Sequence, residues 1–395
     1  MHVKIKVVGG PHRGDEFVFE ETASFVVGRH WKTQFQLSRK DAFLSRFHFY
    51  VEVKPPQCVL VDLNSRNHTY VNGNQVKHAV LADGDRIKAG QSTFLVSIDS
   101  GGPEREKPVY EDALPPEIPN YRMENLLGIG SFGVVYLASD LRNGARVALK
   151  VLSPVIAGCP KSSAMFEREA ELLQKLDHPH IVDLYEFGRV DGRLFMVMEF
   201  VPGFDALHLV NSQGGLLEVG RAVDITRQVL KALGHAHRAG IIHRDVKPNN
   251  LLLARINNRD VVKIGDFGLA RLYQESSLSE LALTEIGDAH GTPGFLPPEQ
   301  ITDFHNVGPA ADQYGAAATL YFMLTGERPY DFPDNANELL RMLLEDDAIP
   351  IRTRRPEIPK GLAHVVDTAL AREPSERFAD VLAMSGELTP WAQPS

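Results

Sequence analysis

Charges of both signs and two amides interrupt an apolar stretch in the segment HRDVKPNN, residues 243–250. Ile241 and Ile242 precede this segment and three leucines follow it, so its flanks are typical of a domain core. Burying polar groups in such a place is costly unless each group has a partner. Asp245, Lys247 and Asn250 therefore indicate a loop that does chemistry, and the other motifs of the chain decide which chemistry.

Three glycines lie between alternating apolar residues in the segment LLGIGSFGVVYLA, at Gly128, Gly130 and Gly133. Glycine allows backbone amides to approach a phosphate group closely, because it has no side chain in the way. The segment alone is about equally typical of a glycine-containing hairpin. By itself it indicates little about function.

A lysine and a glutamate each lie on an apolar face of a predicted element. In ARVALKVL, strand alternation places Lys150 on a mostly apolar side, although a lone lysine in a strand is usually solvated. In the next helical segment, Glu169 shares the spacing of one buried stripe with Phe166, Ala170 and Leu173. A carboxylate in that position requires a cation, and Lys150 is the natural candidate. Breaking such a pair typically costs about 3–5 kcal/mol when it is buried.

Further motifs follow in order along the chain. VVKIGDFGLA places Asp266 after a strand, GTPGFLPPEQ contains Glu299, and the segments AADQY and PSERF supply Asp312 and Arg377. Each motif alone is compatible with a structural role. Together they resemble the Hanks-type, eukaryotic-like serine/threonine protein kinase family over residues 121–391. The resemblance implies a bilobal α+β kinase fold, with ATP and Mg²⁺ as cofactors.

The resemblance also implies a role for each catalytic motif residue. Asp245 would accept or orient the substrate hydroxyl, and Lys247 would steady the γ-phosphate. Lys150 would contact the α- and β-phosphates and pair with Glu169. Two residues would hold Mg²⁺: Asn250 and Asp266. The loop would then present a base, a cation and a metal ligand to one phosphoryl group, which suits a reaction that depends on positioning and charge stabilisation.

The nucleotide site and the structural supports follow from the same resemblance. The residues that would bind ATP are Gly128, Gly130, Gly133, Val135, Ala148, Lys150, Glu199 and Val201. Ala148 would touch the adenine, while Glu199 and Val201 would offer backbone groups to it. Glu299 and Arg377 resemble the buried ion pair of the family. Asp312 resembles the helix residue that anchors the catalytic loop.

A regulatory segment is implied between Asp266 and Glu299. In this family an arginine directly before the catalytic aspartate, here Arg244, commonly pairs with a phosphate on that segment. The resemblance therefore predicts autophosphorylation, with Thr284 as the first candidate and Ser276, Ser277 and Ser279 as the others. Thr292 would instead position the peptide substrate, and with Lys247 it matches the serine/threonine branch.

Residues 1–99 have the pattern of short alternating strands separated by turns, as in an all-β sandwich. The motifs FVVGRH, FLSRFH and VDLNSRNHTYVNG resemble the forkhead-associated (FHA) domain, which reads phosphothreonine. The resemblance implies that Arg29 and Ser45 bind the phosphate and that Asn67 binds the ligand backbone. Arg46 and Arg66 would add charge from neighbouring positions.

Three other positions of this domain affect loop shape. His48 and Asn72 are expected to brace loops rather than to bind ligand. His68 stands where the FHA family usually has glycine, and histidine tolerates left-handed backbone only moderately. The conformation of residue 68 is therefore a point that the structure has to decide.

Composition excludes several classes of protein. The 395-residue chain is 43% apolar and 24% charged, as in a globular protein of two or three domains. A net charge of −9 argues against bulk nucleic-acid binding, although residues 1–99 carry 13 Lys and Arg against 10 Asp and Glu, a balance that suits an anionic ligand. The two cysteines, Cys58 and Cys159, form no disulfide framework and no zinc pattern.

The sequence also predicts a cytoplasmic location. Gly9, Gly10 and Pro11 break the short N-terminal apolar stretch, so it does not have the form of a signal peptide. We find no run near the roughly 18–20 apolar residues that a membrane span requires. The longest candidate, YGAAATLYFMLTG, is predicted to be a buried helix.

A linker rich in Gly, Pro and charge occupies residues 100–120. A flexible chain of this length has a span of about 25 Å, so the front domain would reach the regulatory segment of its own chain. We therefore predict a protein kinase whose partners are protein substrates and phosphothreonine proteins, its own phosphorylated segment included, with possible transient self-association. Two alternatives remain: a phosphothreonine-binding scaffold with an inactive kinase-like domain, and a small-molecule kinase of similar fold.

Overall fold

The structure is a computed structural model of the chain. It describes residues 2–19, 23–28, 35–36, 41, 43–45, 48–54, 57–62, 65–76, 78–99, 117–130, 133–152, 160–256, 259–267, 293–302, 307–331 and 336–393. The chain divides into two compact units. One comprises Met1–Ser153 with Arg189–Phe195, and the other comprises Pro154–Gly188 with Met196–Ser395.

The N-terminal region of the first unit is built from two antiparallel-rich sheets. Their strands are β1 (His2–Gly9), β2 (Glu16–Phe19), β3 (Ala23–Gly28), β4 (Phe35–Gln36), β5 (Phe49–Lys54), β6 (Gln57–Asp62), β7 (Thr69–Val71), β8 (Asn74–Val76), β9 (His78–Val80), β10 (Arg86–Ala89) and β11 (Ser92–Asp99). The first sheet has the order β2-β1-β11-β10-β7-β8 and the second has the order β4-β3-β5-β6-β9. The predicted all-β architecture is confirmed.

Strand alternation produces one apolar core in this region. Along β1, Val3, Ile5 and Val7 are fully buried, while the lysines between them are not. Residues from both sheets join them in a single apolar cluster, in which Phe49 and Phe94 meet edge to face at 5.4 Å between ring centroids. Period-two burial of this kind fixes the register of the strands, because a shift by one residue would expose the apolar side chains.

A second sheet system begins at Tyr121. Strands β12 (Tyr121–Gly130), β13 (Gly133–Asp140) and β14 (Arg146–Leu152) form an antiparallel meander. They belong to a five-stranded sheet with the order β12-β13-β14-β16-β15, in which β15 is Leu184–Val190 and β16 is Arg193–Glu199. Ordered contacts start before β12, since Ile118 is buried and its carbonyl accepts the N–H of Tyr121.

The second unit is mainly helical. Its helices are α1 (Pro160–Leu173), α2 (Ala206–Ser212), α3 (Val219–Arg238), α4 (Pro298–Thr302), α5 (Ala310–Thr325), α6 (Ala336–Glu345), α7 (Ile351–Arg354), α8 (Lys360–Ala369) and α9 (Val381–Glu387). A small sheet of the order β17-β18-β19 accompanies them, made of Phe204–Asp205, Leu251–Ile256 and Arg259–Ile264. Helix α5 is buried along almost its whole length, as the run YGAAATLYFMLTG predicts. No helix in the described part of the chain is long and apolar enough to cross a membrane.

Candidate functional site

The loop between α3 and β18 brings together two predicted catalytic residues and one predicted metal ligand. The ammonium nitrogen Nζ of Lys247 lies 2.8 Å from the Oδ2 atom of Asp245. The amide Nδ2 of Asn250 donates to the same oxygen at 2.9 Å and to the backbone carbonyl of Asp245 at 2.8 Å. Asp245 is 8% exposed, so these contacts supply the partners that a nearly buried carboxylate requires.

The loop folds in this way because its backbone is tied to the end of β19. Residues Pro248–Asn250 form one turn of 3₁₀ helix, which carries Asn250 back towards Asp245. The carbonyl of Asn250 accepts the N–H of Gly265 at 2.9 Å, and the Nε2 atom of His243 contacts the carbonyl of Gly265 at 2.8 Å. These two bonds clamp the residue that directly precedes Asp266.

Asp312 anchors the start of the same loop. Its carboxylate, on α5, is 1% exposed and accepts the backbone N–H groups of His243 at 2.8 Å and of Arg244 at 2.7 Å. The Nε2 atom of His237 contacts it at 2.7 Å. Arg244 has a φ of +65°, an uncommon value for a residue other than glycine, and this bond helps to hold it there. The predicted anchoring role is confirmed, while His237 was not predicted.

The predicted ion pair between Glu299 and Arg377 is also present. Two guanidinium nitrogens of Arg377 donate to the two carboxylate oxygens of Glu299, at 2.6 and 2.8 Å. The Arg377 side chain also donates to the backbone carbonyls of Ala371, Ala310 and Arg372. A planar, five-donor guanidinium is suited to such a junction of chain segments.

The Mg²⁺ that the kinase resemblance implies fits the donor chemistry of this loop. Because Nδ2 of Asn250 is committed to Asp245, its Oδ1 is the atom that can serve as an oxygen ligand. Asp266 would supply carboxylate oxygens, and Mg²⁺ prefers a few such ligands together with phosphate oxygens and water. Within the described residues, no group of three or more His, Cys, Asp or Glu side chains is arranged to hold a metal alone.

The predicted nucleotide-binding residues of the first unit lie on the β12–β14 meander. Gly128 pairs with Val135, Gly130 pairs with Gly133, and Val135 pairs with Lys150. Gly133 has a φ of +144°, and a Cβ there would come within 2.1 Å of a backbone oxygen of β14, so a glycine is required. Lys150 is 2% exposed and Ala148 is half-buried.

The remaining predicted kinase residues lie in the second unit. Glu169 is half-buried on α1, where Phe166 and Ala170 are fully buried, as the stripe predicts. The pairing of Glu169 with Lys150 stays a prediction. The N–H of Glu199 donates to the carbonyl of Asp183 at 2.9 Å, so any adenine contact of Glu199 would use its own carbonyl oxygen.

Two loops of the N-terminal sandwich are joined by predicted phosphopeptide-binding residues. The hydroxyl Oγ of Ser45 accepts the N–H of Arg66 at 2.9 Å. The amide Nδ2 of Asn67 donates to the carbonyl of Phe43 at 2.6 Å. Arg66 and Asn67 are exposed, so a cation and an amide face solvent next to the Ser45 hydroxyl.

His48 braces these loops from below. It is fully buried, its Nδ1 accepts the N–H of Ser45 at 3.0 Å, and its Nε2 contacts the carbonyl of His68 at 3.1 Å. Burial lowers the pKa of His48, which favours the neutral ring that these two contacts require. His68 adopts a φ of +57°, so it supplies the left-handed backbone that glycine provides in the family. Asn72 likewise braces a turn through Asp85 and the N–H of Arg86.

Two aspartates, the fully buried Asp41 and the half-buried Asp62, support the same loops and were not predicted as site residues. Asp62 accepts the hydroxyls of Ser65 and Thr69, each at 2.6 Å. Asp41 accepts the N–H groups of Phe43 and Gln91 and the hydroxyl of Ser92. Their partners lie up to 51 residues away in sequence, which no local pattern reveals.

Several predicted residues fall outside the described residues: Arg29, Arg46, Ser276, Ser277, Ser279, Thr284 and Thr292.

Comparison with known proteins assigns this architecture to a family. The model of the protein kinase domain matches residues 121–389, and the model of the FHA domain matches residues 25–90. The chain belongs to the protein kinase family and carries an N-terminal FHA domain. Members of the kinase family generally use ATP and Mg²⁺.

Individual relatives are bacterial serine/threonine-protein kinases. The chain is 37% identical over 272 residues to serine/threonine-protein kinase pkn3 of Myxococcus xanthus, covering 68% of this chain and 49% of that protein. It is 37% identical over 259 residues to PknD of Mycobacterium tuberculosis, covering 65% and 37%. The crystal structure of the Mycobacterium tuberculosis PknI kinase domain matches with a TM-score of 0.56 and 29% identity, over 71% of this chain and 100% of that one. The chain thus spans about half or less of these curated relatives.

Proposed function

We propose that the chain is an ATP- and Mg²⁺-dependent protein serine/threonine kinase whose FHA domain docks phosphothreonine. The observation that carries the proposal is the cluster of Asp245, Lys247 and Asn250, which Asp312 anchors and which lies against the strand that leads to Asp266. It combines a base, a cation and oxygen ligands. Phosphoryl transfer depends mainly on such positioning and charge stabilisation.

In this proposal each residue of the loop acts on one part of the transfer. Asp245 orients the substrate hydroxyl and takes its proton as the hydroxyl oxygen attacks the γ-phosphorus and ADP departs. Lys247, 2.8 Å from that carboxylate, holds the γ-phosphate in line and offsets the charge that develops on it. Asn250 and Asp266 would hold Mg²⁺, which would supply positive charge to offset that of the phosphate groups.

The nucleotide would be held by the other predicted residues. Lys150 contacts the α- and β-phosphates and pairs with Glu169 on α1. Ala148 lies against the adenine, and Glu199 and Val201 present backbone groups to it. Four residues cover the phosphates from the β12–β13 hairpin: Gly128, Gly130, Gly133 and Val135. The burial of Lys150 supports this role, because an ammonium that is 2% exposed requires negatively charged partners.

The FHA domain would recognise a phosphate group with charge-assisted hydrogen bonds. Arg29 and Ser45 bind the phosphate, Arg46 and Arg66 add charge, and Asn67 binds the ligand backbone. The exposure of Arg66 and Asn67 next to Ser45 supports this assignment, because a ligand can reach all three.

We assign residues 1–99 to the phosphothreonine-binding domain, 100–120 to a linker and 121–391 to the catalytic domain. The partners would be protein substrates and phosphothreonine proteins, including the phosphorylated segment of the same chain or of a second copy in transient self-association. Candidate phosphosites are Thr284, Ser276, Ser277 and Ser279. The use of ATP agrees with the cytoplasmic location that the sequence predicts.

The alternative of a phosphothreonine-binding scaffold with an inactive kinase-like domain is not favoured. Such a domain would have lost one of the groups that the transfer needs. Here Lys150, Asp245, Asn250 and Asp266 are all present, and the loop residues among them are held in contact.

Incubation of the protein with Mg-ATP and a generic protein substrate, followed by phosphosite mapping, tests the proposal. We expect phosphate on serine and threonine of the substrate and on the segment 276–292 of the chain itself. Transfer that requires both ATP and Mg²⁺ supports the enzyme. ATP turnover only with a small-molecule acceptor would point to a small-molecule kinase, and no transfer at all would leave the scaffold.

A further inference from the structure

A lysine near the end of β19 makes contacts that its position in the sequence does not suggest. The Nζ atom of Lys263 lies 2.6 Å from Oε2 of Glu199 and donates to the carbonyl of Ile181 at 3.2 Å. The side chains of Lys263 and Glu199 are only 18% and 23% exposed. This ion pair is therefore shielded from solvent more than an ordinary surface ion pair, which contributes little to stability.

The ion pair lies in a junction of three chain segments. Backbone bonds join Ile264 to the segment at both sides of Ile181: its N–H donates to the carbonyl of His180 at 2.9 Å, and its carbonyl accepts the N–H of Val182 at 3.0 Å. That segment continues to Asp183, whose carbonyl accepts the N–H of Glu199 at 2.9 Å. The end of β19, residues 180–183 and the end of β16 are thus bonded in series.

Charge balance at this junction depends on Lys263. The N–H of Asp183 approaches Oε2 of Glu199 at 3.4 Å, so the two acidic residues are neighbours. Burial raises the pKa of the Asp183 carboxyl, Lys263 opposes that rise and Glu199 adds to it. Without the ammonium group, two partly buried carboxylates would repel each other, and the backbone that joins Asp183 to Glu199 would have to adjust.

We propose that Lys263 is a positioning residue for nucleotide binding, which holds the backbone at Glu199 in the orientation that binds adenine. The inference rests on the proposed kinase function, because that function assigns Glu199 and Val201 to the adenine. Lys263 does not touch the nucleotide. It acts through the carboxylate of Glu199, which fixes the peptide group whose carbonyl would face the base.

Asp266 follows Lys263 by three residues, just beyond the end of β19, so a test has to separate the adenine end of the site from its metal end. Adenosine serves this purpose, because it carries the base and no phosphate. We expect Lys263→Met to weaken adenosine binding by about tenfold, because the backbone at Glu199 would then adopt the binding-competent orientation in only a fraction of the molecules. The KM for Mg-ATP should rise by a similar factor, while kcat changes less than about threefold.

Variants of both partners make the test specific. Lys263→Arg should restore most of the adenosine affinity, because the guanidinium can reach the same carboxylate. Glu199→Gln should show the same defect as Lys263→Met, and the double variant should be no worse than either, since both break one interaction. Lys175→Met is the matched control, because it removes an exposed lysine of the same unit. It should change neither the affinity for adenosine nor the KM for Mg-ATP.

The outcomes distinguish this inference from the function on which it rests. If the wild-type protein binds adenosine and Lys263→Met binds it equally well, the positioning role is wrong and the kinase proposal stands. A loss of kcat alone, or of thermal stability alone, also contradicts the positioning role. A wild-type protein that binds neither adenosine nor Mg-ATP would refute the proposed nucleotide site and the role of Lys263 with it.

Discussion

Asn250 is bonded to Asp245 twice, through one amide nitrogen that donates to the carboxylate at 2.9 Å and to the backbone carbonyl at 2.8 Å. The two residues are five positions apart, and the 3₁₀ turn between them makes this contact possible. The bond to the carboxylate orients the side chain of Asp245, and the bond to the backbone carbonyl closes the loop. The arrangement separates what the carboxylate does chemically from what holds it in place.

The first prediction uses that separation. Asp245→Asn keeps the size and an oxygen that Asn250 can still bond, but an amide cannot accept the substrate proton. We expect kcat to fall by a factor of about 10²–10⁴, with a melting temperature close to that of the wild type. Phosphate transfer to a peptide and thermal unfolding measure the two quantities. Asp347→Asn, at an exposed aspartate, is the matched control, and near wild-type turnover by Asp245→Asn would contradict the catalytic assignment.

The second prediction concerns the anchor of the loop. Asp312→Asn leaves one oxygen to serve the N–H groups of His243 and Arg244, and it places an amide donor among donors. We expect the free energy of unfolding to fall by about 2–4 kcal/mol, because a buried donor loses its charged acceptor. Activity should fall as well, since Arg244 and Asp245 are held from this point.

Chemical denaturation and peptide phosphorylation of the same sample check that anchor. Asp347→Asn, at an exposed aspartate of the same unit, serves as the control for the loss of one charge. Unchanged stability in Asp312→Asn would mean that the three contacts of this carboxylate are replaceable by water or by a shift of the loop.

Local motifs made much of this site predictable. The partners that lie far away in the sequence could not be predicted. The buried stripe of α1, the burial of Lys150 and the ion pair of Glu299 with Arg377 agree with the sequence-based predictions. The contact between His237 and Asp312 spans 75 residues, and that between Lys263 and Glu199 spans 64. Nothing in a strand or helix period specifies which distant chain segment lies beside it.

Very short strands are hard to recognise from the sequence for a related reason. Strands β4, β8 and β9 have two or three residues each, which is too few for alternation to be recognised. His68 is a different case. The sequence identified residue 68 as a position where the family has glycine, but the backbone conformation of the histidine had to come from the structure. Its φ is +57°, and its carbonyl contacts the buried ring of His48 at 3.1 Å.

The third prediction tests that conformation. His68→Gly should change the free energy of unfolding by less than about 1 kcal/mol, because relief of left-handed strain and the added freedom of the unfolded chain oppose each other. His68→Val should lower it by about 1–2 kcal/mol, since a β-branched residue is poorly suited to positive φ. Thermal unfolding of both variants decides the matter. Equal stability of the glycine and valine variants would contradict the left-handed assignment.

The fourth prediction is a pH dependence of stability. Burial, together with the charges of His180, His235, Arg238 and Lys231, lowers the pKa of His178 to about 4. Its ring lies 5.5 Å from that of His180 and 5.2 Å from that of His235, between centroids. Below about pH 6.5 the unfolded chain binds a proton at this residue, while the folded chain stays neutral until about pH 4. Stability should therefore fall as the pH drops from about 6.5 towards 4.

His178→Asn isolates this contribution, because an amide oxygen can accept the N–H of His180 as Nδ1 of His178 does at 3.2 Å. The melting temperature of the variant should fall less between pH 7 and pH 5 than that of the wild type. His364→Asn, at an exposed histidine of the same unit, controls for the loss of an imidazole. A variant and a wild type with parallel pH profiles would show that His178 titrates alike in the folded and unfolded chains.

The last prediction concerns the ligand of the FHA domain. A phosphothreonine peptide should bind the full chain more tightly than its phosphoserine counterpart, and an unmodified peptide should not bind measurably. Arg29→Ala should abolish the binding, because an arginine supplies charge-assisted hydrogen bonds to the phosphate. The same variant should phosphorylate a generic peptide at nearly the wild-type rate and its docked partner more slowly, since a tether over residues 100–120 raises the effective concentration to about the millimolar range.

Titrations at fixed ionic strength, with Arg13→Ala as the matched control at an exposed arginine of the same domain, measure this directly. The ionic strength is fixed because salt screens exposed charges: at 0.1 M salt, interactions between charges more than about 10 Å apart are largely screened. Loss of binding in Arg29→Ala but not in Arg13→Ala would separate a specific phosphate contact from the net positive charge of the domain. Equal affinity for the phosphorylated and unmodified peptides would mean that Ser45, Arg66 and Asn67 merely join two loops, and that the sandwich has a structural role.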